Sequence, residues 1–208
     1  TVVEGKKIPG LGSPNSPEAM SVFTINLNTN KVIDKFKTGY QVGEMVEDAE
    51  VVGGASPNSI AVGKQYAYVT NATNDNIAVI DYRNHKILNH IPVQTDQRID
   101  KYRGELPFGI TLSKDEKTLY VNESVQRKIW KFTVDEKGNI SDKILFAEFP
   151  DFGFDGMKCD REGNLYAARY GKGVIVILDP SGKIIREVEA TDYNYNREDE
   201  LAPQPQSP

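Results

Sequence analysis

Strand–turn–strand repetition is the feature that most limits what this chain can fold into. Four segments superimpose: VFTINLNTNKV at 22–32, IAVIDYRNHKI at 77–87, IWKFTVDEKGNI at 129–140 and VIVILDPSGKI at 174–184. Each reads as a strand, a polar turn rich in Asp, Asn and Gly, and the start of another strand. β-Branched side chains suit the pleated backbone, and the turn residues tolerate the tight or left-handed geometry of a hairpin. A second matched pair precedes three of these hairpins: SIAVGKQYAYV at 59–69, GITLSKDEKTLYV at 109–121 and GMKCDREGNLYA at 156–167. Tyr68, Tyr120 and Tyr166 mark the same place in each copy, roughly 50 residues apart. No segment holds an apolar helical period over three turns, so no long helix is expected. The stretch 44–50 suits a single helical turn.

A four-stranded antiparallel unit of this length, repeated in tandem, is the signature of a β-propeller blade. The expected fold is all-β, with full blades at 56–94, 106–150 and 154–190 and a half-blade at 20–40 that supplies only outer strands. About three and a half blades form one domain over 1–190, and 191–208 reads as a polar, Pro-rich tail. An unclosed ring leaves two sheet edges and their apolar flanks exposed. Either the terminal segments supply the missing strands, or the ring is open or closes by homo-oligomerisation.

Composition narrows the function. Lys+Arg number 25 against Asp+Glu 30, a net charge of −5, so no basic stripe for nucleic acid is expected. The apolar run 174–178 is far too short to span a bilayer. The single Cys159 cannot form an internal disulfide and reads as a buried, inert thiol. The chain opens Thr1-Val2-Val3 without methionine or a signal-like segment, which suits a mature secreted form or a fragment.

In a blade of strands a to d, the a–b and c–d turns share one face, and these turns are short here. The b–c turns and the connections to the next blade share the other face. That face carries the long segments 38–56 and 94–106, and long loops in a compact domain are commonly functional. The residue leading each inner strand is aimed at the central channel: Asn58, Phe108 and Asp155. Asn and Asp are oxygen donors suited to Ca²⁺ or another divalent cation, whereas Phe contributes none. His85 and His90, near a c–d hairpin, read as surface residues. The turns at 135–139 and 160–164 lack the end-of-loop Glu of a calcium loop and fit hairpins better. Asn71 and Asn122 begin glycosylation sequons.

Two resemblances follow from these motifs. Tyr68-Val69-Thr70-Asn71, followed by DNIAVID at 75–81, resembles the YVTN β-propeller repeat family over roughly residues 20–121. That resemblance implies a secreted or periplasmic propeller, often without catalysis. From about 109 to 189 the chain instead resembles the senescence-marker-protein/gluconolactonase family of regucalcin-like propellers. The segments TLYVNES at 118–124, RKIW at 127–130, FDGMKCD at 154–160 and GNLY at 163–166 carry the likeness.

The second resemblance implies a metal-dependent lactonase. The family's Pro-Asp-Gly-Met aspartate, a ligand of the catalytic cation, matches Asp155, with Phe154 in place of the proline. An Asn ligand one blade earlier is replaced by Phe108, and the family's first-blade Glu has no counterpart. Asn58 carries a comparable motif one blade upstream and is assigned to the metal or to the substrate. Phe108, Arg103 and Arg169 complete the substrate-binding candidates, and Asp155 is the catalytic one. The implied reaction is hydrolysis of a sugar lactone or related ester, with Ca²⁺ or another divalent cation polarising the carbonyl. Two alternatives stay open: a non-catalytic YVTN-type module presenting 38–56 and 94–106 to a protein or glycan, and a fragment or chimaera without activity. The change of resemblance near 120–122 motivates the last.

Overall fold

The fold comes from a computed structural model that describes residues 2–3, 6–7, 19–46, 49–51, 54–93 and 107–190. Its strands are β1 (Val2–Val3), β2 (Lys6–Lys7), β3 (Ser21–Asn26), β4 (Lys31–Lys37), β5 (Met45–Val46), β6 (Ala49–Glu50), β7 (Pro57–Val62), β8 (Tyr66–Asn71) and β9 (Asn76–Asp81). The remainder are β10 (Lys86–Pro92), β11 (Pro107–Leu112), β12 (Thr118–Glu123), β13 (Lys128–Val134), β14 (Ile140–Glu148), β15 (Met157–Cys159), β16 (Leu165–Arg169), β17 (Val174–Leu178) and β18 (Ile184–Glu189).

Three four-stranded antiparallel sheets follow chain order: β7-β8-β9-β10, β11-β12-β13-β14 and β15-β16-β17-β18. The first strand of the second sheet, β11, lies beside both β7 and β15, so the inner strands of successive blades are neighbours. The hairpin β3–β4 is the outer half of a preceding blade, and among the described residues β3 pairs only with β4. The architecture is a partial β-propeller of about three and a half blades. No helix among the described residues is long and apolar enough to cross a membrane.

Blades hold together face to face. Tyr68, Ile77 and Val79 of the first blade pack on Ile110, Leu119, Val121 and Phe132 of the second. Tyr120, Ile129 and Phe146 then pack on Met157, Leu165 and Val176 of the third. Phe36 of the half-blade buries against Ala67, Val69, Ala78 and Ile80. Each fully buried side chain of this size contributes about 1.5–3 kcal/mol. The buried Tyr68 hydroxyl donates to the Gly138 carbonyl at 3.1 Å, bridging two blades, and burial pushes its pKa upward. The repeat tyrosines register the open end: Tyr68 is 1% and Tyr120 6% exposed, whereas Tyr166 is 36% exposed. The first two are covered by the following blade, and none among the described residues covers the third.

The short turns close on an aspartate. Asp135 Oδ1 accepts from the N–H groups of Lys137 and Asn139, and Asp160 does the same for Glu162 and Asn164. Asp81 and Asp179 cap the c–d turns of the first and third blades likewise. These are hairpin caps, in which the side chain mimics a turn carbonyl.

Two local expectations are corrected. Residues 44–50 do not form a helical turn: β5 pairs with β6, closed by Gly43 N–H to Val51 O and Val51 N–H to Glu44 O. His90 is not a surface residue of the hairpin turn, because it lies five residues along β10. It is half-buried against Tyr40, and its Nε2 accepts from the Gly39 N–H at 3.0 Å. His85 is exposed at the turn and contacts Asp34 Oδ2 of the half-blade. The tail 191–208 lies outside the described residues.

Candidate functional site

The face bearing the b–c turns is organised by polar side chains near the ends of the second strands. The Thr70 hydroxyl, in β8, accepts from Ser59 N–H at 3.1 Å and donates to the carbonyl of Phe108 at 2.9 Å. One blade on, Asn122 of β12 repeats the arrangement. Its Oδ1 accepts from Gly109 N–H at 3.0 Å, and its Nδ2 donates to the carbonyl of Asp155 at 2.8 Å. Each side chain thus grips the inner strand of its own blade and the leading residue of the next. Phe108 and Asp155 occupy equivalent positions in this scheme.

Asp155 is held further. Its N–H donates to Ala168 O at 3.0 Å, and Ala168 N–H donates to Gly156 O at 3.1 Å. Ser124 Oγ accepts from Phe154 N–H at 3.0 Å and donates to Phe154 O at 2.8 Å. Gly153 lets this hydroxyl in, since a Cβ there would sit 2.5 Å from Ser124 Oγ. Gly109 is equally constrained: its Cβ would lie 2.5 Å from both Asn122 Nδ2 and Asp155 O. The Asp155 backbone is fixed on both sides, while its carboxylate is exposed and engaged by no hydrogen bond or ion pair among the described residues.

The other expected residues fall in different surroundings. Asn58, second residue of β7, is exposed. Phe108 is half-buried at the head of β11. Arg103 lies outside the described residues. Arg169 is placed differently from an open substrate contact. Its side chain is fully buried, with its guanidinium 4.0 Å from the Phe149 ring and 5.1 Å from the Phe154 ring. Its Nη2 donates to Asp151 Oδ1 at 3.1 Å and to Phe152 O at 3.2 Å, and contacts Asp151 O. Arg169 therefore holds the connection that delivers Asp155, a role the sequence does not show because Phe149 and Phe154 come from outside its strand. At the matching end of β12, the buried Glu123 pairs with Lys143 at 2.9 Å, and the Lys143 ammonium lies 4.2 Å from the Trp130 ring.

The holding role of Thr70, Asn122 and Ser124 is not read from the sequence, where Asn122 figures only as a sequon asparagine. The signal was present: a polar residue two places after the repeat tyrosine in the first two blades, replaced by Ala168 in the third. Both sequon asparagines, Asn71 and Asn122, are fully buried, which removes them as glycan acceptors in the folded chain. Cys159 is half-buried, and burial followed by the Asp160 charge raises its pKa, consistent with an inert thiol. A pocket of about 470 Å³ between the first two blades, lined by Tyr66, Tyr68, Leu112 and Val134, opens on the opposite, short-turn face. It is remote from the Asp155 end of the blades.

A divalent cation is testable against these donors. A carboxylate at Asp155 and an exposed amide at Asn58 are hard-oxygen ligands of the right kind. They are fewer than the six to eight oxygens that calcium takes. No three His, Cys, Asp or Glu side chains gather to hold a metal among the described residues. Asp155 is thus a lone carboxylate ligand among the described residues, and the donor set there is incomplete for a resident divalent cation.

Residues 55–194 match the model of the SMP-30/gluconolactonase/LRE-like region. The chain belongs to this family. The match runs through 68–71 and across 120–122, so one family covers both stretches whose resemblances differ. The change of resemblance also falls inside β12, which is in register with β11 and β13 on either side. Gluconolactonase of Zymomonas mobilis is 30% identical over 145 residues, covering 62% of this chain and 40% of that protein. Lactonase drp35 of Staphylococcus aureus is 31% identical over 85 residues, 38% of this chain and 26% of that protein. The chain thus spans less than half the length of these curated relatives. Virginiamycin B lyase of Staphylococcus aureus superimposes with a TM-score of 0.59 at 16% identity, over 86% of this chain and 51% of that one. That likeness concerns the fold alone.

Proposed function

We propose that this lactonase-like propeller hydrolyses a sugar lactone or related ester, using a divalent cation held at Asp155. The observation that carries the reading is a solvent-facing carboxylate without a partner among the described residues, set on a backbone pinned by the preceding blade and by β16. In this reading Asp155 holds the ion, Asn58 adds an amide oxygen to the ion or the substrate, and Phe108 forms an apolar wall for the ring. A bound divalent cation supplies positive charge that polarises a lactone carbonyl and stabilises the developing oxyanion. Additional blades, from a second copy or from further chain, would pack on the exposed flank of the third blade and along β3. The test is hydrolysis of glucono-δ-lactone by the full chain with calcium or zinc added. Turnover that depends on the metal and is abolished by Asp155→Ala supports the reading; turnover indifferent to both overturns it.

A second reading has one observation in its favour. The β5–β6 hairpin projects from the segment 38–51, with Met45 64% exposed. Its base is anchored on the first blade by Tyr40 N–H to Asn74 Oδ1 at 2.9 Å and by the Gly39–His90 bond. Such an anchored projection suits a secreted, non-catalytic YVTN-type module that displays its loops to a protein or glycan. Calorimetry separates the readings, because the binding module predicts no heat on adding calcium.

A further inference from the structure

We propose that the half-blade is an acceptor for a β-hairpin. A pair of strands of this same propeller repeat, not from a second copy of the chain, adds to the edge of β3 and covers Ile60 and Val62. The inference is independent of any ion at Asp155.

The complete blades show what belongs at that edge. β9, β13 and β17 each pair with the strand before them, β8, β12 and β16, and the repeat tyrosine lies opposite Val79, Lys131 and Ile177. β3 holds the same place in the half-blade, and along residues 22–25 its edge away from β4 carries no strand among the described residues. Asn26 Oδ1 accepts from the N–H groups of Asn28 and Thr29, capping the turn as Asp81 and Asp179 do. Thr24 stands two residues before that cap, as Val79 and Ile177 do, and is therefore the place for an incoming tyrosine. The first blade points to the same occupant from the other side. In every blade two side chains of the inner strand flank the residue opposite the tyrosine: Ile60 and Val62, Ile110 and Leu112, Met157 and Cys159. The second and third pairs share cores with Tyr68 and Tyr120 of the preceding blade. Ile110 is 1% and Met157 4% exposed, with Leu112 and Cys159 half-buried, whereas Ile60 is 39% and Val62 61% exposed. Their cross-strand partners Val69 and Ala67 are buried with Phe36 of the half-blade, so the bare part is the width of an inner strand pair. Strand addition supplies backbone hydrogen bonds at the edge and sets alternate side chains on the apolar surface beneath. A second copy folded alike has no such pair to give, because β8, β12 and β16 are each already paired on both edges.

The probe is a synthetic peptide of residues 57–71, the β7–β8 hairpin of this chain, added to the full chain and read by titration calorimetry and amide hydrogen exchange. Saturable binding is expected, with the β3 amides exchanging about 10-fold more slowly and those of β18 unchanged. Ile60→Asp and Val62→Asp, at exposed positions, are each expected to weaken binding by about 10- to 100-fold, the worth of one buried apolar side chain. Ile185→Asp, on the outer strand of the third blade, should leave binding as in the parent. An isolated hairpin is marginally stable in water, so the same sequence is also tethered ahead of residue 1 through a Gly/Ser linker, which raises its effective concentration. Absence of β3 protection in the tethered chain overturns the inference, and so does binding indifferent to Ile60→Asp and Val62→Asp. Slow β3 exchange in the parent alone also overturns it: sedimentation as a dimer then assigns the edge to a second copy, and as a monomer to the chain's own terminal segments.

Discussion

The two faces of this propeller use aspartate in opposite ways. On the short-turn face, Asp81, Asp135, Asp160 and Asp179 each turn inward to cap their own hairpin, and those hydrogen bonds hold their carboxyls below the usual range. On the other face, Asp155 makes no such cap. Its backbone is secured by side chains from a different blade, and its carboxylate is left to solvent. A carboxylate that satisfies its own turn serves stability, whereas one held by its backbone alone keeps its oxygens available. The difference lies in which blade supplies the hydrogen bonds.

The largest expected effect separates the two kinds directly. Asp155→Ala should remove calcium binding below calorimetric detection with little change in the thermal midpoint. Asp135→Ala should leave calcium binding intact and lower the midpoint, since three hydrogen bonds to the turn disappear. The reverse pattern would break the comparison.

Next comes Arg169→Ala, which removes the cation packed against the touching rings of Phe149 and Phe154 and leaves the carbonyls of the 151–152 connection unmatched. Loss of a buried, hydrogen-bonded cation is expected to cost about 3 kcal/mol in urea unfolding. A cost within experimental error would show that the connection is held by other means.

Glycine pairs sharpen the account at smaller amplitude. Gly109→Ala drives a methyl into the Asn122–Asp155 bond and is expected to cost about 1–3 kcal/mol. Gly156→Ala meets nothing within 4 Å and should fall within about 0.5 kcal/mol of the parent. Equal costs at the two positions would contradict the inter-blade tie.

The smallest effect is a pH dependence at His90. Burial depresses its pKa below the ordinary value of 6.5, with the Glu44 carboxylate opposing. A depressed folded-state pKa means the unfolded chain takes up the proton first. The His90 contribution is therefore full above about pH 6.5 and is lost as pH falls through the folded-state value. His90→Gln, which keeps an acceptor for Gly39 N–H, should flatten this slope in unfolding measured from pH 7.5 to 5.

Much of the fold is legible in the residues because a blade is local. The alternation around Tyr68, Tyr120 and Tyr166, and the Asp-led turns, specify hairpins whose partners lie a few residues away. What escapes is non-local. Nothing beside Asn122 or Ser124 in the chain points to residues 154–155, some thirty positions on. Arg169 resembles any exposed strand-end cation until Phe149 and Phe154 close over it. His90 is misjudged when the hairpin is treated as one place, because five residues of β10 carry it towards the opposite end of the blade. In the acidic stretch 44–50 the pairing of β5 with β6 is decided by the backbone bonds of Gly43, Glu44 and Val51.

The central claim is that the inner strands bring Asp155 to the channel face as a cation ligand, distinct from the turn-capping aspartates. Anomalous diffraction from crystals of the full chain grown with manganese tests it most directly. The account predicts a peak at coordination distance from Asp155 Oδ that vanishes in Asp155→Asn crystals. Peaks confined to the Asp135 or Asp160 turns, with none at Asp155, would contradict it.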